Sequence, residues 1–339
     1  MAENKSRFGI LDFIPRDREV DAVEAFKYSV ELLKYADQLG LSRYWYAEHH
    51  STPALLGSSP QVVLAYAAAQ THSIKLGTGG VMLDNLSAYQ IAENFKVLAC
   101  LAPGRIEAGV GYSNDKERSD QEKMGGFDFK NTKPYEEVLM ELHCYLTDHQ
   151  PEEERRRPRA MPILFDQDIP MNVLVSSCKH IKYIAENGWG IIFGLFLNPD
   201  YEECQKAIAL YRQYFVPNAT HAGPHVSVAM YAVSSKNKNL IGPLEKGLNA
   251  WILAFKRNKR NLYQLLTTEE SQYYPFTEEE LKELEPYECT KVVGNPRELK
   301  RKFNELHIQL DCDEFLVINQ LAGYNNRKEL IKILSEIDK

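Results

Sequence analysis

Tyr44-Trp45-Tyr46-Ala47-Glu48-His49-His50 reads as a short aromatic strand that ends in a carboxylate and two imidazoles. Just upstream, Lys34-Tyr35-Ala36-Asp37-Gln38-Leu39-Gly40 reads as a helix end with glycine at its stop. A helix, a loop and a strand with titratable groups at its C-terminal edge is how barrel and open-sheet enzymes place catalytic side chains. Histidine suits such a position, because its ordinary pKa lies near working pH. The same two histidines could equally be ordinary loop residues, so the rest of the chain has to decide.

Outward from this stretch, strand-like and helix-like segments alternate. Arg7–Phe13, Arg43–Glu48, Ile74–Leu83 and Ile106–Gly111 read as strands. Between them, Asp21–Leu39 carries apolar residues at helical spacing, Pro60–Thr71 is alanine-rich, and Ser87–Leu101 ends before Pro103-Gly104. Strands follow at Asn172–Ser176, Gly190–Phe193, His225–Val233 and Glu314–Ile318, again separated by helices. About eight strands in this order predict a closed (β/α)8 TIM barrel rather than an open sheet. A single domain over residues 1–339 is expected, with insertions after strand 4 (Ser113–Lys133) and after strand 7 (Leu265–Asn295).

The 339 residues carry a formal net charge of -7, which argues against nucleic-acid binding. No apolar run is long enough to span a bilayer, and Met1–Arg7 has no apolar signal core, so a cytoplasmic protein is expected. The six cysteines form no C-x-x-C pair, which speaks against structural zinc and a disulfide framework. The run Arg155-Arg156-Arg157-Pro158-Arg159 follows three glutamates and reads as a self-neutralising solvated loop.

No dinucleotide fingerprint, Walker loop, nucleophile elbow or H-E-x-x-H helix is present. Neighbouring strand residues point to opposite sides, so Glu48-His49-His50 is a poor metal site and at most one histidine faces the barrel mouth. Gly77-Thr78-Gly79-Gly80 offers bare backbone within an apolar strand. Either a flat ligand stacks on it or the strand kinks there. At Val175-Ser176-Ser177-Cys178-Lys179-His180, hydroxyls sit where a helix begins. This is an anion site or simple N-capping by Ser177.

Taken in order, Tyr44–His50, Leu76–Leu83 (LGTGGVML), Ala92–Phe95 (AENF), Pro103–Gly111 (PGRIEAGVG) and Val293-Gly294-Asn295-Pro296 resemble the bacterial luciferase-like flavin monooxygenases. The resemblance runs from about Arg7 to Ile337. It implies a (β/α)8 barrel that binds reduced FMN at its C-terminal mouth, reacts with O2, and receives the flavin from a separate flavin reductase. It also implies a homodimer acting on a small-molecule substrate. His49 matches the family's catalytic histidine and His50 its neighbour. Gly79-Gly80 falls where luciferases have a non-proline cis peptide beside the flavin ring, and Ser176 and Ser177 match the segment that holds the phosphate. Glu48, His50, Gly79, Gly80, Gly111, Tyr112, Ser176 and Ser177 are thus the implied cofactor contacts, with no metal. The family commonly places arginine after the Gly109-Val110-Gly111 pattern; here Tyr112 stands instead. A deazaflavin-dependent oxidoreductase and a non-catalytic flavin-binding or partner subunit are the alternative readings. The aromatic segment Tyr273-Tyr274-Pro275-Phe276 points to an apolar or aromatic substrate.

Overall fold

Among the described residues, ten parallel strands follow one another: β1 (Phe8–Asp12), β2 (Arg43–Tyr46), β3 (Lys75–Thr78), β4 (Val81–Met82), β5 (Ile106–Gly111), β6 (Met171–Val175), β7 (Gly190–Gly194), β8 (Val226–Val233), β9 (Lys291–Val293) and β10 (Glu314–Ile318). Eight of them close a barrel in the order β10-β1-β2-β3-β5-β6-β7-β8, and β8 pairs back onto β10. The computed structural model describes residues 7–112, 133–148, 158–165, 167–258 and 262–338. The expected (β/α)8 barrel is therefore present. The insertion at Ser113–Lys133 and the run Arg155–Arg159 lie largely outside the described residues.

Local sequence explains the joins. Asp21 caps the helix Ala22–Leu39 by accepting from the Glu24 N–H, and Gly40 ends it in a left-handed conformation (φ 77°). Asn295 and Glu298 form a capping box on Pro296–Leu310, with Pro296 in the first turn. The strands are buried along nearly their whole length, as the core of a parallel barrel requires.

Two strand boundaries differ from expectation. The second strand stops at Tyr46, so Glu48, His49 and His50 are loop residues. Ile74–Leu83 is not one strand: it breaks into β3 and β4 around Gly79-Gly80, whose peptide bond is cis. A Cβ on Gly80 would lie 2.6 Å from the Val110 carbonyl carbon, so glycine lets this turn press against the β5 backbone. Close chain packing thus accounts for a glycine that the sequence left open to a ligand.

The barrel floor, at the N-terminal ends of the strands, is charged. Arg43 reaches Glu314 at 3.1 Å and Glu107 at 3.6 Å. Ser227 and Ser42 donate to Glu314 as well. Burial alone would raise the Glu314 pKa, but Arg43 and His225 outweigh it and hold the carboxyl down at about 2. Above this layer lies Trp45, fully buried, donating its indole N–H to Glu107 at 2.9 Å. A Cβ on Gly77 would sit 2.6 Å from that indole nitrogen. Trp45 thus fills the barrel interior above the charged layer.

The insertion after β8 crosses back over the strand ends. The Ala54 N–H donates to the Leu262 carbonyl, and the Leu265 N–H to the Arg16 carbonyl, both at 2.8 Å. Asp17 takes two hydrogen bonds from the Arg327 guanidinium (3.0 and 2.6 Å), which joins the loop after β1 to the last helix, Tyr324–Ile337. This forked geometry is the strong form of the ion pair.

Candidate active site at the barrel mouth

The loop after β2 sends its two histidines to different neighbours. His49 packs edge-on against Phe13 (ring centroids 4.7 Å apart) and Phe255 (5.9 Å), and its backbone N–H donates to the Gly57 carbonyl at 3.0 Å. His50 instead meets Glu48, with Nε2 2.9 Å from Oε1. The two side chains thus have different surroundings, which loop conformation rather than strand alternation sets apart.

Glu48 is a buried carboxylate with a full set of partners. Besides His50 it accepts from the Asn85 amide at 2.9 Å and from the Met82 N–H at 3.2 Å. It therefore fastens the end of β2 to the chain just past the cis Gly79–Gly80 peptide. This is a positioning role, because its oxygens already face inward to protein donors.

Aromatic rings form the wall around His49. Phe13 also meets Phe196 (5.7 Å), Phe196 meets Tyr231 (6.4 Å), and Phe255 meets Trp251 (5.4 Å). These come from the ends of β1, β7 and β8 and from the helix Lys238–Asn258. Rings at such spacings attract edge to face and hold one another in place. The apolar character of the mouth rests on them. In the segment Tyr273–Phe276, Tyr273 is 75% exposed, and the half-buried Tyr274 and Phe276 meet at a tilt with ring centroids 4.6 Å apart.

Across the mouth, Tyr112 directly follows β5 and packs on Tyr135 (4.9 Å), which packs on His180 (5.0 Å). Nδ1 of His180 lies 3.1 Å from a Glu136 carboxylate oxygen. Ser176 and Ser177 lie in the turn that precedes His180, both half-buried. The Ser177 hydroxyl accepts from the Lys179 N–H at a long 3.4 Å, and the Ser176 carbonyl accepts from Asn198 at 2.8 Å. The Cys178 N–H is already taken by Glu203 (2.9 Å). The structure thus brings Tyr112, Ser176 and Ser177 to one corner, and Glu48, His49, His50, Gly79 and Gly80 to another. A Cβ on Gly111 would touch the Met82 and Leu174 side chains at ordinary van der Waals distance, 3.5–3.7 Å.

Two residues at the mouth were not apparent from sequence. The Tyr135 hydroxyl is buried and has no hydrogen-bond partner among the described residues; burial, with Asp84 and Tyr112 nearby, pushes its pKa far up. Gln320, just past β10, buries an amide whose two polar atoms have no partner among the described residues. Tyrosine and glutamine are too common for a single sequence to single them out. No described group of histidine, cysteine and acidic residues could hold a metal ion, and no described helix is long and apolar enough to cross a membrane.

A closed (β/α)8 barrel with an imidazole in an aromatic chamber at the C-terminal strand ends is the architecture of a barrel enzyme. The comparisons make the class specific: the chain belongs to the luciferase-like monooxygenase family, whose profile matches residues 6–307. It is 28% identical over 328 residues to the uncharacterized protein YceB of Bacillus subtilis, covering 97% of this chain and 98% of that one. It is 31% identical over 235 residues to the N-acetyl-S-alkylcysteine monooxygenase of the same organism, covering 68% and 69%. Among solved structures it superposes on apo-MsnO8 with a TM-score of 0.85 at 22% identity, covering 99% and 98%. The oxygenating constituent of 3,6-diketocamphane monooxygenase from Pseudomonas putida, solved with FMN, gives 0.69 at 18% identity, covering 98% and 97%. The coenzyme F420-dependent tetrahydromethanopterin reductase of Methanopyrus kandleri gives 0.67 at 16%, covering 98% of each. At these identities the structural matches speak for the fold alone.

Proposed function

We propose that this protein is the oxygenase of a two-component system: it uses reduced FMN, supplied by a separate reductase, and O2 to oxygenate an apolar or aromatic organic compound. The observation that carries this reading is His49 held edge-on between Phe13 and Phe255 in an aromatic-walled chamber, in a member of the luciferase-like monooxygenase family. Reduced flavin supplies electrons and reacts with O2. The residues present suit it. The Gly79–Gly80 segment would border the ring, and Ser176, Ser177 and the Tyr135 hydroxyl, which has no partner among the described residues, would take the phosphate. Tyr135 thereby supplies one of the donors that arginine gives elsewhere.

The chain's own groups do the remaining work. The rings from Phe13 to Trp251 exclude water, which strengthens every polar interaction inside. His49 takes or gives a proton at the substrate, while Glu48 fixes the loop that carries it. Exposed Val62, Tyr66, Val97 and Leu101, on the adjoining helices Pro60–Gln70 and Ala88–Leu101, support pairing with a second copy; sedimentation should give a dimer that Tyr66→Lys weakens.

Anaerobic titration with reduced FMN and with reduced F420 tests the cofactor. FMN should bind at least tenfold more tightly, and Ser176→Ala/Ser177→Ala should weaken it. Tyr112→Arg should tighten it by up to about 1.5–3 kcal/mol, the worth of a hydrogen bond to a charged group. Preference for F420 would move the protein to the deazaflavin reading. Tight FMN binding without substrate oxygenation under air would favour a non-catalytic subunit.

A further inference from the structure

Gln320 sits two residues beyond β10 and is 3% exposed. Along β10, Glu314 faces the barrel interior, where it meets Arg43, and the Leu316 side chain lies 2.7 Å from a Cβ built on Gly9 of β1. β10 ends at Ile318, and the Gln320 N–H turns back to the Ile318 carbonyl at 3.1 Å, so Gln320 lies buried just past the C-terminal end of the strand, at the mouth. Neither its Nε2 nor its Oε1 has a hydrogen-bond partner among the described residues. At the end of the neighbouring strand β8, the buried Ser234 hydroxyl also lacks one. A buried amide with both ends unmatched is costly and rare, and a ligand that pairs with it recovers the cost.

The strand order says which ligand. From β3 to β8 the barrel runs β3-β5-β6-β7-β8, four steps of eight, so the β8–β10 edge faces the Gly79–Gly80 edge across the mouth. A flat cofactor lying on Gly79–Gly80 leaves Gln320 to the substrate. A carboxamide presents a donor and an acceptor side by side in one plane. Its match is a group with the same pair reversed, and a lone carbonyl would leave Oε1 unpaired. The same mouth carries the rings of Phe13, Phe196 and Phe255.

We infer that Gln320 is a specificity-determining residue, and that the substrate carries a primary carboxamide or lactam on an aromatic or apolar body. This rests on the proposed reading in taking the mouth as the substrate chamber. Benzamide and acetophenone are matched probes, since they differ by an NH2 in place of a CH3. Their binding is measured by ligand-observed NMR on the full chain, without flavin, for the wild type and for Gln320→Met, which keeps shape and removes both polar atoms. The wild type should prefer benzamide roughly tenfold, the usual order for a site built to hydrogen-bond a group. In Gln320→Met that preference should fall below about twofold, acetophenone should bind no worse, and the thermal midpoint should not drop. Equal binding of the two probes to the wild type, no binding of either, or a preference that survives in Gln320→Met overturns the inference. A lower midpoint with an intact preference assigns the amide a structural role. Because flavin is left out, a failed FMN titration breaks the cofactor reading without touching this result.

Discussion

The two ends of one barrel are built on opposite principles. At the floor, the half-buried Arg43 ion-pairs with the buried Glu107 and Glu314, and Ser227 donates to Glu314; opposite charges face one another, although Arg43 Nε makes no aligned hydrogen bond among the described residues. At the mouth, His49 stands among phenylalanines, and Tyr135 and Gln320 bury polar atoms that no described residue satisfies. The same strands supply both ends: β2 begins with Arg43, carries Trp45 in the middle, and leads into His49. A group satisfied by the protein has nothing left to offer a ligand, whereas an unmatched one is held ready at a cost in stability. Barrel enzymes divide their labour along this axis, with stability at the N-terminal face and chemistry at the C-terminal face.

Substitutions at the two ends should therefore separate activity from stability. His49→Ala should reduce turnover about 10²–10⁴-fold if the imidazole moves a proton, with little change in the denaturant midpoint, while His50→Ala should cost less. Full activity in His49→Ala, or a larger loss in His50→Ala, would remove the assignment. Arg43→Met should do the reverse. It leaves two buried carboxylates facing each other without their cation, and breaking such a pair costs about 3–5 kcal/mol. Urea unfolding gives the number, and a midpoint close to wild type would show that the floor network contributes little.

Much of this axis was legible in the sequence, for identifiable reasons. Alternating helical and strand periodicities give the barrel, because each element must bury one face or both. The aromatic run into Glu48-His49-His50 marks a strand end, and Gly79-Gly80 marks a break in chain direction. What escaped is what depends on distant contacts. The floor network joins residues 43, 107 and 314, and no local pattern pairs them. The aromatic wall gathers Phe13, Phe196 and Phe255 from three separate segments. Of two aromatic runs contiguous in sequence, Tyr44–Tyr46 is buried in the barrel, whereas in Tyr273–Phe276 Tyr273 is exposed and Tyr274 and Phe276 are half-buried. Local density of a residue type is a poor guide when the fold assembles a wall from single residues.

The smallest effect expected at the floor is a dependence on pH, and it sharpens the contrast between satisfied and unsatisfied groups. His221 is 9% exposed, just before β8. Burial first, then the neighbouring His225 and Arg43, lower its pKa from 6.5 to about 4. Its Nδ1 lies 2.9 Å from the Thr220 hydroxyl, and its Nε2 lies 3.1 Å from a Cβ built on Gly190. The folded protein therefore resists a proton that the unfolded chain accepts. Stability from this group is complete above about pH 6.5 and declines as pH falls toward 4, by at most about 3 kcal/mol at 1.36 kcal/mol per pKa unit. Glu314 acts lower down: its folded pKa is depressed from 4.5 to about 2, so its contribution is lost only as pH falls through that range. Urea midpoints measured from pH 7.5 to 4.5 isolate the first window. His221→Gln should flatten the slope there and leave stability at pH 7.5 within about 1 kcal/mol of wild type. An unchanged slope in that variant would mean that other groups take up the protons, and that His221 is no part of the floor's electrostatics.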